Sequence, residues 1–155
     1  MVRSIIRQAG YGLVAGPRGK AMYYHSTRGQ DGPLGYEDAL LSGLARDGGL
    51  YLPVKWPTFS PDEIAGMRDL SYAQLASRVM APFCDGEIDE SELEEMAGAA
   101  YAEFDHPAIA PLVQLDDTIH VLELFHGPTI AFKDYAMQFC QFSNKKNEQA
   151  ECYAT

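Results

Sequence analysis

Glu123 to Asp134 reads ELFHGPTIAFKD. An extended apolar run stops at Gly127-Pro128, and helix-forming sequence resumes around a lone lysine, Lys133. Pro128 and Thr129 suit a helix entrance, with Thr129 as the N-cap, so the pattern predicts a helix through Phe139 or beyond with Lys133 in its first turn. At about 100° per residue, Asp134, Gln138 and Gln141 share a polar stripe, while Phe132, Tyr135, Ala136, Phe139 and Phe142 cover the far side. Lys133 belongs to neither stripe and projects beside Ala136, Met137 and Cys140. Apolar surroundings and the positive end of a helix both oppose an ammonium, so a depressed pKa is expected there. A neutral amine is a nucleophile, which is what a Schiff-base lysine needs. Pattern alone favours the other reading, a lysine snorkelling to solvent over an apolar face, because such lysines far outnumber catalytic ones.

Upstream, two prolines in FDHPAIAP break a helical pattern and TIHVLELF comes after them as a strand candidate, so a domain junction is expected near residue 105. Before it, YYHSTRG suggests a short strand ending in a turn. YEDALLSGLARDGG puts Ala39, Leu40, Gly43 and Leu44 on one helical stripe closed by Asp47-Gly48-Gly49, and LYLP is a short strand stopped by Pro53. Ser60-Pro61 with Glu63 opens a short helix with proline at its first position. Ser71 and Gln74 form a capping box ahead of Leu75, Ala76, Val79 and Met80. Asp89 or Ser91 caps a segment whose Leu93, Met96, Ala97, Ala100, Tyr101 and Phe104 recur at helical spacing. The acids Glu92, Glu94, Glu95 and Glu103 lie elsewhere on it, as a solvated face.

Composition bounds the function. The chain has 155 residues, 46% hydrophobic and 22% charged, with a formal net charge of -10. An acidic chain without a basic face is a poor phosphate-backbone binder, so nucleic acid is not an expected partner. No apolar run approaches the roughly 20 residues that cross a bilayer. Cys84, Cys140 and Cys152 make an odd set without C-x-x-C spacing, suggesting neither a disulfide framework nor a zinc site and fitting a reducing cytoplasm. His25, His106, His120 and His126 form no metal-pair spacing. Residues 1–21 carry four basic residues and no acid. That is the composition of a transit peptide, but Gly10, Gly12, Gly16 and Pro17 weaken an amphipathic helix, and a disordered extension is the plainer reading.

ELFHGPTIAFKD resembles the pyridoxal-phosphate lysine motif of the threonine synthase family. YYHSTRG, YEDALLSGLARDGGLYLP and WPTFSPDEI resemble that family's amino-terminal segment, in the same order. The resemblance runs over residues 22–139. It implies an α/β fold: a small mixed α/β amino-terminal domain over 22–104, then the first strand and helix of a fold-type II pyridoxal-phosphate enzyme domain over 105–155. It implies that Lys133 forms the Schiff base with pyridoxal 5′-phosphate and relays protons between substrate carbons. The implied reaction converts O-phospho-L-homoserine and water to L-threonine and phosphate; the cytoplasm, and no nucleic-acid or membrane partner, are what composition predicts. Family members are several-fold longer, continuing into a Gly/Ser/Thr-rich loop that binds the cofactor phosphate. CQFSNKKNEQAECYAT departs from the apolar continuation the family has after its lysine helix. A truncated chain, inactive alone, is therefore expected. A non-catalytic fragment or interaction module, or another fold-type II enzyme, is the alternative.

Overall fold

The computed structural model describes residues 22–141. The basic segment 1–21, Phe142, Cys152 and the divergent carboxy-terminal stretch after Gln141 lie outside the described residues. In chain order the elements are β1 (Tyr24–Ser26), α1 (Tyr36–Ser42), β2 (Tyr51–Pro53), α2 (Pro61–Gly66), α3 (Tyr72–Cys84), α4 (Glu90–Tyr101), β3 (Leu112–Gln114) and β4 (His120–Leu122). Residues 134–141 are helical and are called α5. The chain divides into two compact units, Met1–Ser60 with Met80–Ile88, and Pro61–Val79 with Asp89–Thr155. Among the described residues no helix is long and apolar enough to cross a membrane.

In the first unit β1 and β2 pair antiparallel, with Tyr24 opposite Pro53 and Ser26 opposite Tyr51. On its other side β1 pairs at Tyr24 with Leu34, which leaves β2 as the edge strand, where proline's missing N–H costs no partner. Met22, Tyr24 and Ala39 are buried, and Leu34, Tyr36 and Tyr51 pack on them. The Tyr24 hydroxyl donates to the Phe83 carbonyl at 2.9 Å, which satisfies the polar end of a buried ring. Helix α1 begins after Gly35, which has no side chain to cap it. The Glu87 carboxylate does so instead, accepting the Tyr36 and Glu37 amides at 3.0 and 2.9 Å. A carboxylate there satisfies orphan donors and meets the positive helix end.

The predicted stripe from Ala39 to Leu44 is cut short. Gly43 takes a φ of 64° and its N–H returns to the Ala39 carbonyl, which ends α1 and leaves Leu44 exposed. A polar knot then ties the chain between α1 and β2 back to β1. Asp47 Oδ1 accepts the Ser26 hydroxyl at 2.6 Å and the Gly49 amide at 2.9 Å, and Oδ2 accepts the Gln30 amide at 3.0 Å. Asp31 Oδ2 accepts the Arg46 amide at 2.7 Å and the Tyr51 hydroxyl at 2.8 Å. These bonds hold both carboxyls below the usual carboxylate range, Asp47 chiefly through Ser26 and Asp31 chiefly through the Arg46 amide.

In the second unit Pro61 is the first residue of α2, and the capping box that starts α3 closes both ways. The Ser71 amide donates to Gln74 Oε1 at 3.0 Å and the Gln74 amide to Ser71 Oγ at 3.2 Å. Helix α4 begins after Asp89, whose side chain makes no capping bond, and it buries Leu93, Met96, Ala97 and Ala100 as their spacing predicts. Phe104, Ile109 and Phe139 are also buried. Rings of Tyr101, Phe104 and Tyr135 meet edge-on or tilted around them, with Phe104 and Tyr135 centred 5.0 Å apart. The strand predicted at TIHVLELF is β4, limited to His120–Leu122, and it pairs with β3, for which the sequence pattern predicts no strand. Asp116 shapes the turn between them, its Oδ1 accepting the Thr118 and Ile119 amides at 2.8 Å each.

Candidate functional site

The helix predicted from Thr129 starts five residues later, at Asp134. Residues 127–133 form a turn that Asp134 ties together. Its Oδ1 accepts the Thr129 hydroxyl at 2.7 Å and its Oδ2 accepts the Thr129 amide at 2.8 Å. Thr129 therefore donates to Asp134, where an N-cap would have accepted from the helix. Asp134 is only 3% exposed, so the polar stripe runs from a buried end at Asp134 to an exposed one at Gln141. The Thr129 hydroxyl, then its amide, holds the Asp134 carboxyl below the usual carboxylate range. A carboxylate accepting such bonds is favoured in its charged form even away from water.

Gly127 makes this closure feasible. A Cβ there would lie 2.8 Å from Asp134 Cγ, closer than carbon atoms approach, so only glycine lets the carboxylate in. The Ile130 amide returns to the Gly127 carbonyl at 3.0 Å and the Asp134 amide to Ala131 at 3.0 Å. Ile130 adopts a φ of 59°, a strained conformation for a β-branched residue that the surrounding bonds must impose.

Lys133 is the last residue before α5, and its carbonyl accepts the Ala136 and Met137 amides at 3.1 and 2.9 Å. Its backbone is thus fixed while its side chain is exposed. The apolar enclosure expected from Ala136 and Met137 is absent, since both are exposed, Met137 by 55%. Phe132, expected on the buried side, is 67% exposed for the same reason: a turn, unlike a helix, does not carry residues 129–133 around one axis. Phe139 does reach the core. Among the described residues no carboxylate forms an ion pair with Lys133.

Two further anchors hold the turn. The Tyr135 hydroxyl donates to the Ile109 carbonyl at 2.7 Å, and the Tyr101 hydroxyl donates to the Tyr135 carbonyl at 3.0 Å. Burial pushes the Tyr101 hydroxyl up to about 12, so it stays a donor through the physiological range. At the other end, His126 lies between two carboxylates, Nδ1 2.7 Å from Asp105 Oδ1 and Nε2 2.7 Å from Glu123 Oε2. Sequence reading takes His126 for a loop or strand-end residue with no metal-pair spacing, and misses these partners. It also misses Asp134 as the lock and Gly127 as the space for it; the Gly-Pro pair is the one signal of special backbone.

The arrangement presents a primary amine to solvent from a backbone that its neighbours hold rigidly. The family profile described as Threonine synthase N terminus matches residues 23–101. This chain belongs to the threonine synthase family. The threonine synthase of Pseudomonas aeruginosa is 52% identical over 117 residues, covering 76% of this chain and 25% of that protein. The crystal structure of a PLP-bound threonine synthase from Brucella melitensis is 52% identical, with a TM-score of 0.76 over 79% of this chain and 26% of that one. Yeast threonine synthase is 34% identical, with a TM-score of 0.77 over 83% of this chain and 27% of that one. The mixed α/β fold is thus that of the amino-terminal portion of threonine synthases. The chain spans about a quarter of the length of these relatives.

Proposed function

We propose that this chain is the lysine-bearing amino-terminal part of a threonine synthase, whose whole converts O-phospho-L-homoserine and water to L-threonine and phosphate. Lys133 is its catalytic residue. The observation that carries the reading is the exposed Lys133 amine, without an ion-pair partner among the described residues, on a turn locked by Asp134 and Gly127. That donor chemistry suits the aldehyde of pyridoxal 5′-phosphate, which Lys133 would hold covalently through Nζ. When bound, the cofactor supplies an electron sink for substrate carbanions. Lys133 Nζ, once released, takes and returns protons at the substrate carbons, a role for which an amine fixed at its backbone and mobile at its tip is suited. The substrate is a small anionic molecule, and a cytoplasmic location follows from this reading.

The test is to mix the chain with pyridoxal phosphate, fix any adduct with borohydride and locate it by mass spectrometry. Lys133 is expected to label ahead of Lys55, an exposed lysine of the other unit, and Lys133→Ala is expected to remove that label. Labelling of Lys133 no faster than Lys55 would overturn the assignment.

A further inference from the structure

His126 faces two groups that, ionised, only accept hydrogen bonds. To satisfy Asp105 and Glu123 together the ring must donate from both nitrogens, which only the imidazolium does. Its side chain is 13% exposed, against 26% for Glu123 and 77% for Asp105. The backbone repeats the link, since the Asp105 amide donates to the His126 carbonyl at 3.0 Å. His126 directly precedes Gly127, the residue that admits the Asp134 carboxylate. The clasp therefore joins the entrance of the lysine turn to the segment after α4 and to the exit of β4.

We propose that His126 is a positioning residue for Lys133: its imidazolium clamps the start of the lysine turn, and loss of its proton loosens the turn and the amine it presents. This rests on the proposed role of Lys133. The groups around the ring agree with the device. Asp105 and Glu123 are anionic, and the His106 ring from the segment after α4 lies 4.9 Å away, centre to centre. From α5, the Tyr135 hydroxyl sits 3.5 Å from the Glu123 carbonyl. The Glu123 hydrogen bond, then that of Asp105, raises the pKa of His126 above the ordinary histidine value, against partial desolvation. The clasp thus persists above the pH at which an ordinary histidine loses its proton and opens as pH rises through the raised value of His126.

Two variants separate charge from shape. His126→Gln keeps a polar side chain with no titration, and His126→Arg keeps a cation at every relevant pH. In an NMR titration of the folded chain, the amides of residues 127–134 are expected to shift together with the His126 ring protons. That transition should be absent from both variants. With pyridoxal phosphate and borohydride, the Lys133-to-Lys55 labelling ratio should fall as His126 deprotonates in the wild type. It should be low at all pH in His126→Gln and stay high in His126→Arg. Turn amides indifferent to a titrating His126, or the same transition in His126→Gln, would overturn the clasp. If Lys133 labels nowhere, the proposed function falls while the amide titration still decides this inference.

Discussion

Each unit contains one carboxylate that a glycine admits into a turn, and the two use the same bonds for different ends. Asp47 binds the Ser26 hydroxyl at 2.6 Å and the Gly49 amide at 2.9 Å; Asp134 binds the Thr129 hydroxyl at 2.7 Å and its amide at 2.8 Å. A Cβ on Gly49 would press on Ser26 Oγ and stand 3.0 Å from Asp47 Oδ1, much as one on Gly127 would meet Asp134. The difference is reach. Asp47 joins segments 21 residues apart, so its knot staples a two-stranded sheet to the turn after α1. Asp134 reaches back five residues and closes a local turn whose exposed product is Lys133. The same device supports a fold in one place and aims a reactive group in the other.

The sharpest separation of the two comes from turnover. In a polypeptide extended to the length of the relatives, Lys133→Ala is expected to lower phosphate release from O-phospho-L-homoserine by several orders of magnitude, while Asp47→Ala leaves kcat/KM in the folded fraction near wild type. The 155 residues alone are expected to give no measurable release. Holding cofactor and substrate in fixed orientation is worth effective molarities of about 10⁵ M or more, and that hold is expected to need residues beyond the quarter of the relatives' length that this chain spans. Robust release by the short chain would overturn its expected inactivity alone, and an inactive extended enzyme would break the proposal.

The glycines test the comparison from the other side. Gly127→Ala and Gly49→Ala should each destabilise by about 1–3 kcal/mol, as overpacking of a closed site does. Only Gly127→Ala should also slow the labelling of Lys133 relative to Lys55. Denaturant unfolding measures the first effect and mass spectrometry the second. Equal loss of labelling in both variants would mean that the two knots are not functionally distinct.

What the sequence disclosed was whatever it encodes within a few residues. The Ser71–Gln74 box is such a case, because both partners lie in one turn. Leu93, Met96, Ala97 and Ala100 repeat at helical spacing, and β1 and β2 are bounded by their own turn residues. The family blocks likewise made Lys133 legible as the candidate residue. Its setting was not legible, because helical periodicity assumes a helix and the Thr129–Asp134 bond replaces the first turn of one. Glu87 capping α1 from 50 residues away leaves no local mark, nor does Asp105 meeting His126 across 21. Strand β3 has three residues, all exposed, and so lacks the buried alternation that would announce it.

A smaller effect calibrates the part of the second unit that is plainly structural. Ser71→Ala removes one half of the capping box and should cost about 1 kcal/mol, read by thermal or denaturant unfolding. It should leave the Lys133-to-Lys55 labelling ratio untouched, because its bonds lie at the start of α3. A changed ratio would show that stability anywhere in this unit feeds the lysine turn, and the special status of the Asp134 lock would go.

The smallest effect is the pH dependence of stability that His126 brings. Its pKa is raised in the folded chain, chiefly by the Glu123 hydrogen bond and then by Asp105. The folded state therefore binds the proton more tightly than the unfolded chain does. That contribution is fully present below the unfolded histidine value of about 6.5 and fades as pH rises through the folded value. Solvent at Asp105 screens half of the clasp, so the change in midpoint should be modest. Thermal unfolding measured from mildly acidic to mildly alkaline pH should show the wild type losing an increment that His126→Gln lacks throughout and His126→Arg retains. Asp47 and Asp134, whose carboxyl pKa values are lowered, contribute in the opposite sense, with stability lost only as pH falls through the carboxylate range. A loss with rising pH that His126→Gln lacks can therefore be assigned to His126 without interference from either knot, and parallel curves for wild type and His126→Gln throughout would remove the clasp from the energetics of the lysine turn.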